Sequence, residues 1–166
     1  RVVEHHHADH QPIYQVLLKP AVFSLLLVCF LNQASHGPYY TFYTIYLEQA
    51  GYGAGLIGWL WAIGVIAEVG IFLIMYRLVG WFGLRNLLLF AIALTAVRWG
   101  VIGLFVDSLL LLLIAQLFHA ASFGIYHAVA IQLIHQHFTG KNQSRGQALY
   151  TSFSFGLGGV GFYFST

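Results

Sequence analysis

From Asn86 to Ile134 the chain carries two formal charges, Arg98 and Asp107, in a run dominated by Leu, Ile, Val, Ala and Phe. A segment of that kind has no face to offer to water. The rest of the sequence agrees. Soluble domains carry about 25% charged residues, whereas this chain has 7%, with 59% hydrophobic residues and a mean hydropathy of +0.76. Seven Lys and Arg with five Asp and Glu cannot coat a water-soluble fold of 166 residues. The expected class is therefore all-α, a polytopic helix bundle in a membrane, because helices satisfy every backbone polar group within one apolar segment.

A spanning helix needs about 20 apolar residues. Five segments qualify: Pro20 to Leu47, Leu56 to Val79, Leu84 to Phe105, Leu109 to Ile134, and a last one from about Gln147 to the end. The first contains His36-Gly37-Pro38, where a bend or unwinding is expected because Pro38 has no N–H for the helix ladder. Orientation follows from the short connectors. Arg1 and Lys19 precede the first segment, Arg77 and Arg85 bracket the second connector, and Lys141 and Arg145 occupy the fourth. The first and third connectors hold only Glu48 and Asp107. All the connector cations fall on one side, assigned to the cytoplasm.

Residues 1–17 are polar and His-rich and read as a linker or tail; residues 18–166 form the membrane domain. His5, His6, His7 and His10 lack the Cys or paired carboxylates that would complete a metal shell, so no metal site is expected. The single Cys29 excludes a disulfide framework. The chain opens at Arg1 without a signal-peptide pattern and stops at Thr166 within a Gly-rich apolar stretch, which reads as an internal piece of a longer protein.

Ionisable groups inside hydrocarbon cost about 2.5–3.5 kcal/mol each on insertion scales and generally face a bundle interior or water-filled cavity. Glu68 and Arg98 lie roughly 18 Å and 20 Å into their antiparallel spans, so both reach the middle, where an attraction between them is geometrically open. His119 sits near the same depth. Helical spacing places Gln116, His119, Phe123, Tyr126 and His127 on one stripe. Asn32, Gln33 and His36 share a face on the first span, continued by Tyr39, Tyr40 and Tyr43; Tyr43 and Tyr46 also fit an interfacial aromatic belt. Polar groups converging near one depth from separate spans describe a cavity.

Enzymatic readings find little support. The sequence has no H-E-x-x-H, di-His iron box, G-x-S-x-G or G-x-x-x-x-G-K-S/T element, and no basic patch for nucleic acid. No cofactor is implied.

The segments "HGPYYTFYTIYLEQAGYGAGLIGWLWAIGVIAEV", "AVRWGVIG" and "LFHAASFGIYHA" resemble the second half of proton-linked major facilitator transporters. The likeness runs from about Phe30 to the end. It is nearer to the phenylpropionic acid transporter group than to the lactose permease group. The resemblance implies that the five spans are helices seven to eleven of a twelve-helix fold, with the N-terminal half of the protein as partner and the substrate site between halves. It implies a multi-pass protein of a bacterial inner membrane that binds a small-molecule substrate and protons. In the lactose permease pattern a carboxylate, an Arg and a His on helices eight, nine and ten serve recognition and coupling; Glu68, Arg98 and His119 match them. That pattern also has a Glu three residues after the His, where this chain has Ser122, which leaves Glu68 as the leading proton carrier. The implied function is proton-coupled symport of a small organic solute such as an aromatic carboxylate, with a nucleoside or sugar as the alternative substrate. Glu68 and His119 are the candidates for coupling. His36, Tyr39, Tyr40, Trp61, Arg98 and His127 are those for substrate. A non-transporting receptor or scaffold is the alternative of another class.

Overall fold

The computed structural model describes residues 12–157. The tail histidines expected at His5, His6, His7 and His10 lie outside them. Every regular element among the described residues is helical. Helix α1 covers Ile13–Leu17, inside the segment read as a polar tail, and α2 covers Pro20–Gln49. Helix α3 spans Ala54–Leu104, and α4 spans Leu109–His119. A π-helical turn at Ala120–Ile125 leads into α5, Tyr126–His137. A 3₁₀ turn at Gly140–Asn142 precedes α6, Gln143–Thr151, and a second π-helical turn follows at Ser152–Leu157. Two apolar stretches are long enough to cross a membrane, Ala54–Leu104 and the continuous run Leu109–His137.

At 51 residues, α3 would extend about 77 Å if straight, more than twice the thickness of a bilayer core. It does not. Gly83 adopts φ 73° and ψ 158°, outside helical space, and divides α3 into arms at 54–82 and 84–104. The arms fold back on each other, because the residues flanking the two ends of α3 meet. The hydroxyl of Tyr52, just before α3, donates to the carbonyl of Val106, just after it, at 2.8 Å. The two arms correspond to the expected second and third spans, and the expected connector shrinks to the turn around Gly83.

The first arm shows why it belongs in lipid. Ile66, Val69, Leu73 and Tyr76 follow helical spacing and are all exposed, 66% and 73% for Ile66 and Leu73. On the other side Ile57, Leu60, Gly64 and Met75 are buried, and Glu68 lies on that inner stripe, half-buried. A Leu or Ile left open in this way has no water-soluble rationale as a repeated stripe, whereas acyl chains accept it at no cost.

Helix α2 runs without interruption through Pro38, so the expected unwinding does not occur. Proline removes one rung of the ladder rather than the helix. One turn away the Thr41 hydroxyl adds a donor to the Gly37 carbonyl at 3.0 Å. Helix α4 starts on Ser108, whose side chain accepts from the Leu111 N–H at 3.5 Å.

The described residues form two compact units, residues 35–132 and residues 12–34 with 133–157. In the latter, Asn32 and Gln33 are buried, Phe30 packs on Phe153 with ring centroids 5.0 Å apart, and His135 Nε2 meets Gln147 Oε1 at 3.1 Å. Gly146 is clamped beneath Phe138, whose ring occupies the place of any Cβ at that position. The unit 35–132 holds the core of Tyr39, Tyr43, Leu47, Leu60, Ile102 and Leu112. It also holds every residue that the sequence singles out for coupling or substrate.

Candidate functional site

Spacing on α2 places Tyr39, Tyr40 and Tyr43 within one turn, and all three meet Trp61 from the first arm of α3. Ring centroids lie 4.8 Å, 6.1 Å and 5.6 Å from Trp61 for Tyr39, Tyr40 and Tyr43 respectively. The indole N–H donates to Thr44 Oγ1 at 3.1 Å, which fixes the Trp61 ring across α2. Tyr39 and Tyr43 are buried, while Tyr40 is 45% exposed.

A second column of rings rises along the π-helical turn. His119 and Phe123 stack at 5.5 Å and 11°, and Phe123 and His127 at 5.9 Å and 2°. In a regular α-helix residues eight apart diverge by about 80°. The wide turn at Ala120–Ile125 takes up the excess, so three rings four residues apart remain nearly parallel. His36, fully buried on α2, closes the column from the side, 5.7 Å from His119 and 5.6 Å from Phe123. The Tyr40 hydroxyl reaches His119 Nε2 at 3.5 Å.

Arg98 enters from the second arm of α3. It is fully buried, and the side chain its guanidinium reaches is that of Tyr39. The guanidinium lies 4.4 Å from the Tyr39 ring centroid and 5.9 Å from that of Trp99. The attraction to Glu68 left open by the sequence is not formed: the aromatic faces, not the carboxylate, receive Arg98. Cation–π contact contributes about 2 kcal/mol when desolvated. Removing an ion from water costs several kcal/mol even after relaxation. The aromatic contacts therefore offset only part of the cost of burying Arg98.

Glu68 sits one helical layer away. Its carboxylate is within electrostatic reach of the Tyr40 hydroxyl. Gly124, in the π-helical turn, gives it room, since a Cβ there would come 3.3 Å from Glu68 Cγ. His119 thus touches Tyr40, while Glu68 acts on it through its charge.

The structure brings together all eight residues named from the sequence: His36, Tyr39, Tyr40, Trp61, Glu68, Arg98, His119 and His127. Asn32 and Gln33, which share the face of His36 on a helical wheel, fall in the other unit and are described there. Two hubs were missed as site members. Tyr43 fits an interfacial belt by sequence but is buried, and Gln116 links it to Tyr39. The Tyr39 hydroxyl donates to Gln116 Oε1 at 2.7 Å, and Gln116 Nε2 donates to the Tyr43 hydroxyl at 2.6 Å. Gln116 was visible as part of the polar stripe. Gly64, which leaves space for its amide, was the signal that it packs against another helix. No group of three metal-ligating side chains occurs among the described residues.

Comparison with known proteins agrees with this architecture. The model of the MFS_1 like family matches residues 2–165. The chain is 36% identical over 132 residues to the probable 3-phenylpropionic acid transporter of Escherichia coli strain K12, covering 80% of this chain and 34% of that protein. It thus spans about a third of that relative's length. No solved structure matches. An all-α chain with apolar membrane-length helices, matched by the family model over nearly its whole length, belongs to the MFS_1 like family of membrane transporters.

Proposed function

We propose that this chain forms part of a proton-coupled symporter for a small organic anion, an aromatic carboxylate above all, operating by alternating access in a bacterial inner membrane. The observation that carries the reading is Arg98, a permanent cation fully buried against the Tyr39 side chain with no carboxylate paired to it among the described residues. A carboxylate would offset that charge, and the rings of Tyr39, Tyr40 and Trp61 suit the apolar remainder of an aromatic acid. The 3-phenylpropionic acid named for the Escherichia coli relative belongs to the same chemical class. His36 and His127 border the site and are assigned to solute contact. Glu68 and His119, which both act on Tyr40, are assigned to the proton.

In this reading protonation of Glu68 removes a charge from the membrane interior, and loading of the anion neutralises Arg98. A loaded, protonated site carries less net charge through hydrocarbon than a half-loaded one, which couples the two binding events. The remaining half of the cavity belongs to the N-terminal half of the protein. The test is uptake of labelled 3-phenylpropionate by vesicles containing the full-length protein, with an imposed proton gradient and with a protonophore. Uphill accumulation that the protonophore abolishes is expected. Uptake that ignores the gradient would rule out proton coupling.

A further inference from the structure

Gln116 is fully buried and spends both ends of its amide on tyrosines. Its oxygen accepts from Tyr39, and its nitrogen donates to Tyr43. Tyr43 has no other hydrogen bond among the described residues, whereas the Tyr39 side chain is also reached by Arg98. A phenol has one proton to give and an oxygen that accepts. Tyr39 has given its proton to Gln116. Tyr43 is held as an acceptor, so its own proton is still to be placed.

Tyr43 also walls a cavity of about 410 Å³ between α2 and the second arm of α3, together with Pro38, Tyr39, Phe42, Tyr46 and Trp99. That volume lies within the range of small-molecule pockets. Arg98 lies behind the Tyr39 wall, 4.4 Å from its ring centroid, and biases the cavity toward electron-rich groups. Tyr46 spends its hydroxyl on the Ile102 carbonyl at 3.2 Å, and Tyr39 on Gln116, so the walls offer one uncommitted phenol proton.

We infer that this cavity is a subsite for a small aromatic molecule bearing a hydrogen-bond acceptor, with Tyr43 as the donor and Gln116 as the positioning residue that aims it. The ligand class rests on the function proposed above; the donor assignment does not. The amide is the device that sets direction. An ionised carboxylate in its place accepts from both tyrosines and turns the Tyr43 proton inward, away from the cavity.

The test is equilibrium binding of 3-phenylpropionate to the full-length protein in nanodiscs, for the native protein, Tyr43→Phe, Gln116→Glu, the double variant and Tyr76→Phe. Tyr43→Phe and Gln116→Glu are each expected to weaken binding at least tenfold. The double variant should bind no more weakly than either single one, since both remove the same donor. Tyr76→Phe, which alters a phenol on the exposed stripe of α3, should change the dissociation constant less than threefold. Losses that add in the double variant, or a Tyr43→Phe protein that binds as the native does, would overturn the assignment. A native protein that binds no aromatic carboxylate would overturn the proposed ligand class and the subsite with it. A second readout leaves the fold intact: 3-fluorotyrosine placed at position 43 should show a shifted fluorine resonance on saturation with 3-phenylpropionate, and an unmoved resonance contradicts the subsite.

Discussion

Single residues decide whether the two aromatic columns and the buried amide fit together, and glycine does so by absence. Gly64 faces Gln116, and a Cβ there would stand 3.0 Å from Oε1, tighter than the amide tolerates without moving. Gly58, two turns earlier on the same arm, has open space around the same position. The two substitutions to Ala should therefore diverge. Gly64→Ala is expected to lower stability by about 1–3 kcal/mol through overpacking and to weaken 3-phenylpropionate binding. Gly58→Ala should be neutral or gain about 0.5–1 kcal/mol from helix propensity. Thermal unfolding of the full-length protein, read beside ligand binding, separates the two. Gly146→Ala belongs with Gly64→Ala, because Phe138 already fills the space its methyl would need.

At the scale of elements, the break in α3 is the point on which the fold turns. Gly83 combines φ 73° with ψ 158°, a region essentially confined to glycine. Gly83→Ala is expected to cost about 1–3 kcal/mol, visible as a lower Tm and a reduced yield of folded protein, whereas Gly80→Ala, with open space around it and ordinary helical backbone, should not. The same element shows what the sequence can and cannot disclose. Arg77 and Arg85 mark the connector between two spans through their charge, and the break falls between them. The convergence of Glu68, Arg98 and His119 was legible too, since depth in a membrane follows from counting residues along a helix. Azimuth was less so. A rise of 1.5 Å per residue says how deep Arg98 lies, but not that its guanidinium meets the face of Tyr39 instead of the Glu68 carboxylate. The π-helical turn at Ala120–Ile125 leaves no mark in apolar periodicity over so short a run, and Pro38 promised a disruption that the helix absorbs.

For the whole molecule, the account joins a membrane topology to a cavity that one chain segment does not complete. The alternation of cations along the connectors predicts that the Lys141 connector is cytoplasmic and the Gly53 connector lies outside. In a background with Cys29 replaced by Ser, cysteines introduced at Lys141 and Gly53 are expected to react with impermeant reagents from opposite faces. Labelling of both from the same face would contradict the topology. Residues 1–166 alone, without the N-terminal half proposed to complete the cavity, are expected to show no uptake in vesicles. Coupling itself is tested most directly at Glu68. Glu68→Gln keeps the shape and hydrogen bonding of a protonated carboxyl but cannot release a proton. The measurement is 3-phenylpropionate transport by the full-length protein, recorded both as gradient-driven accumulation and as counterflow exchange. The account predicts that Glu68→Gln loses accumulation while exchange survives; accumulation at the native level by that variant would show that Glu68 does not carry the coupled proton.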